Sequence, residues 1–198
     1  MRVPLVRRRK LLGLGPWLLG FLLSFWLAGG AAAQGIELSQ LEAARRDGAL
    51  TLEFAVRITL PRAVEEALHR GVPAYFTAEA ELKRNRWYWR DESVSKVSRN
   101  WRVAYQPLTG NWRVGLGALN QTYPTLPDAV AAVSRSAGWK IADLSQIDPG
   151  SRYYVEFNFR LDTSQLPGPM QIGLGGPGEW AIGAERVLRL EREAPAGK

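Results

Sequence analysis

Apolar and polar residues alternate with a period of two along much of the chain, as in strands with one face buried and the other in water. In the run Ala49–Leu60, Leu50, Leu52, Phe54, Val56 and Ile58 share one side, and Thr51, Glu53, Ala55 and Arg57 the other. Pro73–Lys83 sets Ala74, Phe76, Ala78, Ala80 and Leu82 against Tyr75, Thr77, Glu79, Glu81 and Lys83. Tyr153–Asp162 does the same with Val155, Phe157, Phe159 and Leu161 against Glu156, Asn158, Arg160 and Asp162. Shorter strands are expected at Val97–Tyr105, where Trp101, Val103 and Tyr105 are in register, and at Trp112–Leu116. Ile36–Arg46 alternates loosely and leads through Asp47-Gly48, a hairpin-type turn, into the first clean strand; Trp180–Arg192 can close a sheet. Two segments carry helical spacing instead. Arg62–Arg70 follows Pro61 with Ala63, Val64, Ala67 and Leu68 on one face and stops at Gly71; Leu126–Ser136 has Ala129, Val130 and Val133 on one face and ends near Gly138. Beyond Lys83 the phase slips, so that the large residues become Trp87 and Trp89, as a bulge or turn near Asn85 would cause. Pro107–Asn111 reads as a loop, and Leu166–Gly178, rich in Pro and Gly, as loop or sheet edge.

These elements predict a mainly β chain: an antiparallel β-sandwich-like domain with two short helices, or alternatively a two-layer α+β domain. The regular interleaving of long apolar strands with helices that a parallel sheet needs is absent. Glu53–Ile58 and Glu156–Leu161 share the string E-F-x-apolar-R-apolar. An internal duplication or two independent half-buried strands would each produce it.

The first 33 residues differ from the rest. Arg2, Arg7, Arg8, Arg9 and Lys10 precede the apolar run Leu11–Leu27, and Ala31-Ala32-Ala33 follows, the order of a secretory signal peptide. The expected division is a signal at 1–33 and a single globular β-rich domain at 34–198, placing the protein in the periplasm or outside the cell. The alternative is an inner-membrane anchor at residues 11–27, the chain's only expected membrane contact. Charge shifts accordingly. The chain carries 26 Lys and Arg against 19 Asp and Glu, but five of the bases and none of the acids lie before Gln34. The remainder is close to neutral, without the basic footprint that nucleic acid demands. There is no cysteine and one histidine, His69, so thiolate metal sites, redox motifs and His-rich metal sites have no residues to build them. No cofactor is expected.

Three strings occur in order behind the N-terminal segment: Arg84-Asn85-Arg86-Trp87-Tyr88-Trp89; then Trp101-Arg102-Val103-Ala104-Tyr105-Gln106-Pro107-Leu108-Thr109; then Leu161-Asp162 followed by Leu166-Pro167-Gly168-Pro169-Met170-Gln171-Ile172, ahead of Trp180. In that combination the chain resembles domain-of-unknown-function family 4390, exported proteobacterial proteins. The resemblance spans most of residues 34–198 and implies a Gram-negative envelope protein; it brings no activity and no catalytic residues with it.

The densest local chemistry is aromatic and basic. Arg84, Arg86, Trp87, Tyr88, Trp89 and Arg90 are followed by Arg99, Trp101 and Arg102, then Trp112 and Arg113. On paired strands, Arg84, Arg86, Trp87, Trp89, Trp101 and Arg102 would make a ribbon able to stack rings and hold carboxylates or phosphates. The competing reading puts the tryptophans in the core and the arginines on the solvated face, with Glu79, Glu81, Asp91 and Glu92 near enough to neutralise them. Paired carboxylates for glycoside hydrolysis are available only if Glu53, Glu156 and Asp162 come together. No catalytic residues are assigned. A non-enzymatic protein-interaction domain of the envelope, its partner an envelope protein, is therefore expected first, a carbohydrate- or anionic-polymer-binding module second and a carboxylate-dependent hydrolase last.

Overall fold

A computed structural model of the chain describes residues 35–87, 90–165 and 180–191. The elements are β1 (Gly35–Arg46), β2 (Ala49–Thr59), α1 (Arg62–His69), β3 (Ala74–Asn85), β4 (Glu92–Gln106), β5 (Asn111–Leu116), β6 (Leu119–Tyr123), α2 (Leu126–Val133), β7 (Arg135–Asp143), β8 (Arg152–Leu161) and β9 (Gly183–Arg189). The expected signal segment, Trp89, the stretch Leu166–Gly178 and the final tail lie outside the described residues.

The strands form two antiparallel sheets, one of three strands in the order β1-β2-β7 and one of six in the order β6-β5-β4-β3-β8-β9. The chain is thus mainly β, as its periodicity predicts. The β1–β2 turn, Asp47-Gly48, has φ of 50° and 73°, the left-handed pair that a two-residue hairpin needs to match strand twist. Glycine reaches this region freely and aspartate tolerates it.

The even-numbered residues of β2 and β3 and the odd-numbered residues of β8 face one shared core. Phe54 of β2 stands 5.0 Å from Phe157 and 5.7 Å from Phe159 of β8, ring to ring. The two similar strings therefore face each other from opposite sheets. Two strands that each bury alternate residues against the same core need the same apolar pattern, whatever their origin.

The three-stranded sheet covers part of the larger one, and the helices cover the rest of that face: α1 packs on β4, and α2 on β4, β5 and β6. The amphipathic face of α1 buries Val64, Ala67 and Leu68. His69, at its end, meets the edge of Trp112 at 5.1 Å. Thr125 caps α2, accepting the Asp128 N–H at 3.3 Å.

Two boundaries differ from the expectation. α2 ends at Val133, and the residues beyond it enter β7. β4 begins at Glu92 rather than Val97. The phase slip near Asn85 falls at the expected β3–β4 turn, and a bulge lies just beyond it on β4, where the register moves from Leu82↔Ser95 to Lys83↔Ser93 and leaves an extra β4 residue between them.

Candidate interaction surface

The β3–β4 hairpin brings Arg84, Arg86 and Trp87 to one end of the six-stranded sheet. Arg84 lies directly opposite Glu92 in the ladder and donates through Nε to Glu92 Oε2 at 2.8 Å. Arg84 Nη2 and Arg86 Nη2 donate to the same oxygen, and Arg84 Nη1 pairs with Asp148. The Arg84 guanidinium holds the Glu92 carboxyl below the usual carboxylate range and is itself raised by it. Asp91 accepts the Arg86 backbone N–H at 3.1 Å and the Tyr154 hydroxyl at 2.6 Å. That hydroxyl, with the Arg86 amide, lowers the Asp91 carboxyl, and the same bond pushes the Tyr154 phenol up to about 12. The hairpin end is thereby tied to β8 through Tyr154 and to the chain just before β8 through Asp148. Beyond this clamp Trp87 is 91% exposed, against the ordinary tendency of tryptophan to be largely buried.

The other members of the expected ribbon lie elsewhere. Trp101 is 4% exposed and meets Phe54 edge-on at 6.2 Å, so it belongs to the core and cannot serve as a stacking platform. Arg102 is on the opposite face of β4, where Nε donates to Tyr75 Oη at 3.4 Å. Tyr75↔Arg102 and Arg84↔Glu92 stand at opposite ends of the β3–β4 ladder, about 30 Å apart at strand rise. The six residues named from sequence therefore do not form one ribbon; the structure joins Arg84, Arg86 and Trp87. Trp89 lies outside the described residues. Asp148 and Tyr154, which complete the clamp, are distant in sequence and carry no local signal of this role.

Arg99 points into the seam between the sheets rather than to the solvated face. It donates to Ser136 Oγ at 2.5 Å, its guanidinium lies 5.3 Å from the Trp139 ring centroid, and burial lowers its pKa.

The face of the six-stranded sheet that no described element covers holds a groove of about 560 Å³ lined by Glu79, Glu81, Lys96, Glu156, Asn158 and Glu185, among others. Glu81 and Glu156 are directly opposite in register, a repulsive placement that Lys83 offsets by bonding Glu156 at 2.7 Å and lying 3.9 Å from Glu81. Glu79 takes Arg160 at 2.8 Å and Lys96 at 3.9 Å, and the Arg160 bond lowers its carboxyl. The carboxylate set considered from sequence is not assembled: Glu53 points outward from the three-stranded sheet and Glu156 outward from the other, so the whole sandwich lies between them. Two carboxyls so placed cannot flank one glycosidic bond.

The site is a clamped hairpin end on an antiparallel β-sandwich, a geometry suited to presenting an aromatic side chain rather than to enclosing a small molecule. The family model described as Domain of unknown function (DUF4390) matches residues 33–189, and the chain belongs to this family. Neither the curated proteins nor the solved structures compared with it give a match. Among the described residues no helix is long and apolar enough to cross a membrane; residues 11–27 are outside them.

Proposed function

We propose that this chain is an exported, non-enzymatic interaction domain of the bacterial envelope that presents the β3–β4 hairpin end to another protein. The observation that carries the reading is the exposure of Trp87 at the end of a stem fixed by Arg84, Arg86 and Glu92. Tryptophan and arginine are the residues most enriched at binding hot spots, and a pre-ordered stem lowers the entropy lost on docking. Export is supported by the basic-then-apolar order of residues 1–33 and by a family match that begins at residue 33. A protein partner is favoured over a polysaccharide because Trp101 is withdrawn into the core, which removes one of the three rings expected to form a stacking surface.

A photo-crosslinking residue at Arg90, exposed beside the tip, tests the proposal in cells expressing the full chain. The expected result is an adduct with one protein of defined mass, lost in Trp87→Ala while the melting temperature is unchanged. A hot-spot tryptophan contributes about 2 kcal/mol or more, roughly thirtyfold in affinity. An adduct that survives Trp87→Ala removes the surface, and turnover of an envelope substrate by the purified protein removes the non-enzymatic reading.

A further inference from the structure

We infer that the chain self-associates through the outer edge of β6, two copies pairing these strands antiparallel about a twofold axis at Gln121. A sheet edge presents unpaired N–H and C=O groups, and natural sheets guard such edges with charge, proline, bulges or covering elements. Among the described residues four strands are edges. β1 carries Glu37, Glu42, Arg45 and Arg46, breaks register between Leu38 and Gln40, and lies against β9, which carries Glu185, Arg186 and Arg189. β7 carries Arg135, Lys140 and Asp143 and has β4 alongside, where Ser95 Oγ donates to the Ile141 carbonyl at 2.5 Å.

β6 lacks the charge, proline and bulge of the others, and although α2 packs against it, four of its five residues stay exposed. Its residues, Leu119-Asn120-Gln121-Thr122-Tyr123, are uncharged and proline-free, and they run in unbroken register with β5. No described strand pairs with the outer side, and Leu119 is 72% exposed.

The strand is complementary to its own reverse. Gly117 and Ala118 form a two-residue turn, so the flanking Leu116 and Leu119 exchange hydrogen bonds, and Asn120 and Thr122 turn their N–H and C=O groups outward. With the axis at Gln121, Asn120 stands opposite the partner's Thr122, giving about four backbone hydrogen bonds across the pair. Leu119 stands opposite the partner's Tyr123, an apolar–aromatic pair that covers the exposed leucine. Gln121 meets its own copy, and no like charges meet along the ladder. Pro124 has no N–H to extend the pairing. That self-complementarity selects a second copy over a different chain. Five residues per copy bury much less than the roughly 1,600 Å² of a standard interface, so the association is weak and concentration-dependent.

The chain has no cysteine, so Gln121→Cys introduces the sole thiol. Residues meeting at a non-hydrogen-bonded position have Cα atoms about 4.5 Å apart, within disulfide range. In lysate of cells expressing the full chain, copper-phenanthroline oxidation should dimerise Gln121→Cys at least about tenfold faster than Glu65→Cys, a control exposed on α1, because pairing holds the two thiols together. Adding Thr122→Lys, an edge charge on an exposed position, should remove the excess. Equal rates at positions 121 and 65 overturn the inference, as does a disulfide from position 121 only to a protein of different mass, which would assign the edge to another partner. Sedimentation of the unsubstituted protein is independent of any folding defect in the variants: mass rising toward the dimer with concentration supports the pairing, and a monomer at every concentration sinks it.

Discussion

Phe54 gathers the core around itself, with Trp101 and Trp139 each 6.2 Å away and Phe157 at 5.0 Å. Aromatic pairs at such separations add to the burial energy of each ring. Phe157→Ala should therefore cost about 3 to 5 kcal/mol, the range for deleting a buried phenylalanine, read as a lower midpoint in chemical denaturation. A variant as stable as the parent would reject this placement. The alternation Val155, Phe157, Phe159, Leu161 marks these residues as core without any structure, because their polar neighbours leave one buried face available. The same rule separates Trp101 from Arg102: adjacent residues in a strand point to opposite faces, so no single surface on β4 can hold both. Composition suggested a ribbon there that the period of two already disallowed.

At the scale of elements, the hairpin clamp makes its stability depend on pH at both ends of the range. Asp91 and Glu92 have carboxyls lowered in the folded state, so the folded chain binds fewer protons than the unfolded one around the ordinary carboxylate range. Their contribution is full above that range and is lost as pH falls through the folded values. Tyr154 has the opposite sign: its phenol, raised to about 12, favours folding below the ordinary tyrosine value near 10 and loses that contribution as pH rises through about 12. Amide exchange along Lys83–Arg86 should quicken at both extremes before the core amides respond, and Glu92→Gln should weaken the acid arm alone. Exchange in the hairpin that follows the core at every pH would show that the clamp has no separate stability. The neutralising role of Asp91 and Glu92 was legible from their place beside the arginines, whereas the ties to Tyr154 and Asp148, more than 60 residues away, were not. β6 and β7 were illegible for different reasons. Leu119–Tyr123 is almost wholly exposed and has no apolar face to alternate. In β7, Gly138 has φ of 61° and the pairing with β2 skips between Leu52 and Phe54, so the buried residues pass from Ser136 to Trp139 and the period is lost.

For the whole molecule, the family match begins at residue 33, where the proposed export signal would end. Intact mass of the protein recovered from the envelope should correspond to a chain beginning at Gln34, and a mass that retains residues 1–27 would establish the anchored form instead. The sheet order has a consequence in time as well as in space. β3 is an interior strand, yet one of its two neighbours is the adjacent β4 and the other is β8, with Phe76 paired to Leu161. A chain synthesised from its N-terminus at roughly 5 to 20 residues per second waits on the order of ten seconds between making the first of these residues and the second. Through that interval Phe76, Ala78, Ala80 and Leu82 have one of their two neighbouring strands and lack Phe157 and Phe159 beside them. The core thus receives its last aromatic layer only when the final quarter of the chain emerges, and a chain whose core is completed that late stays threadable through a narrow pore for longer but exposes apolar surface to aggregation meanwhile.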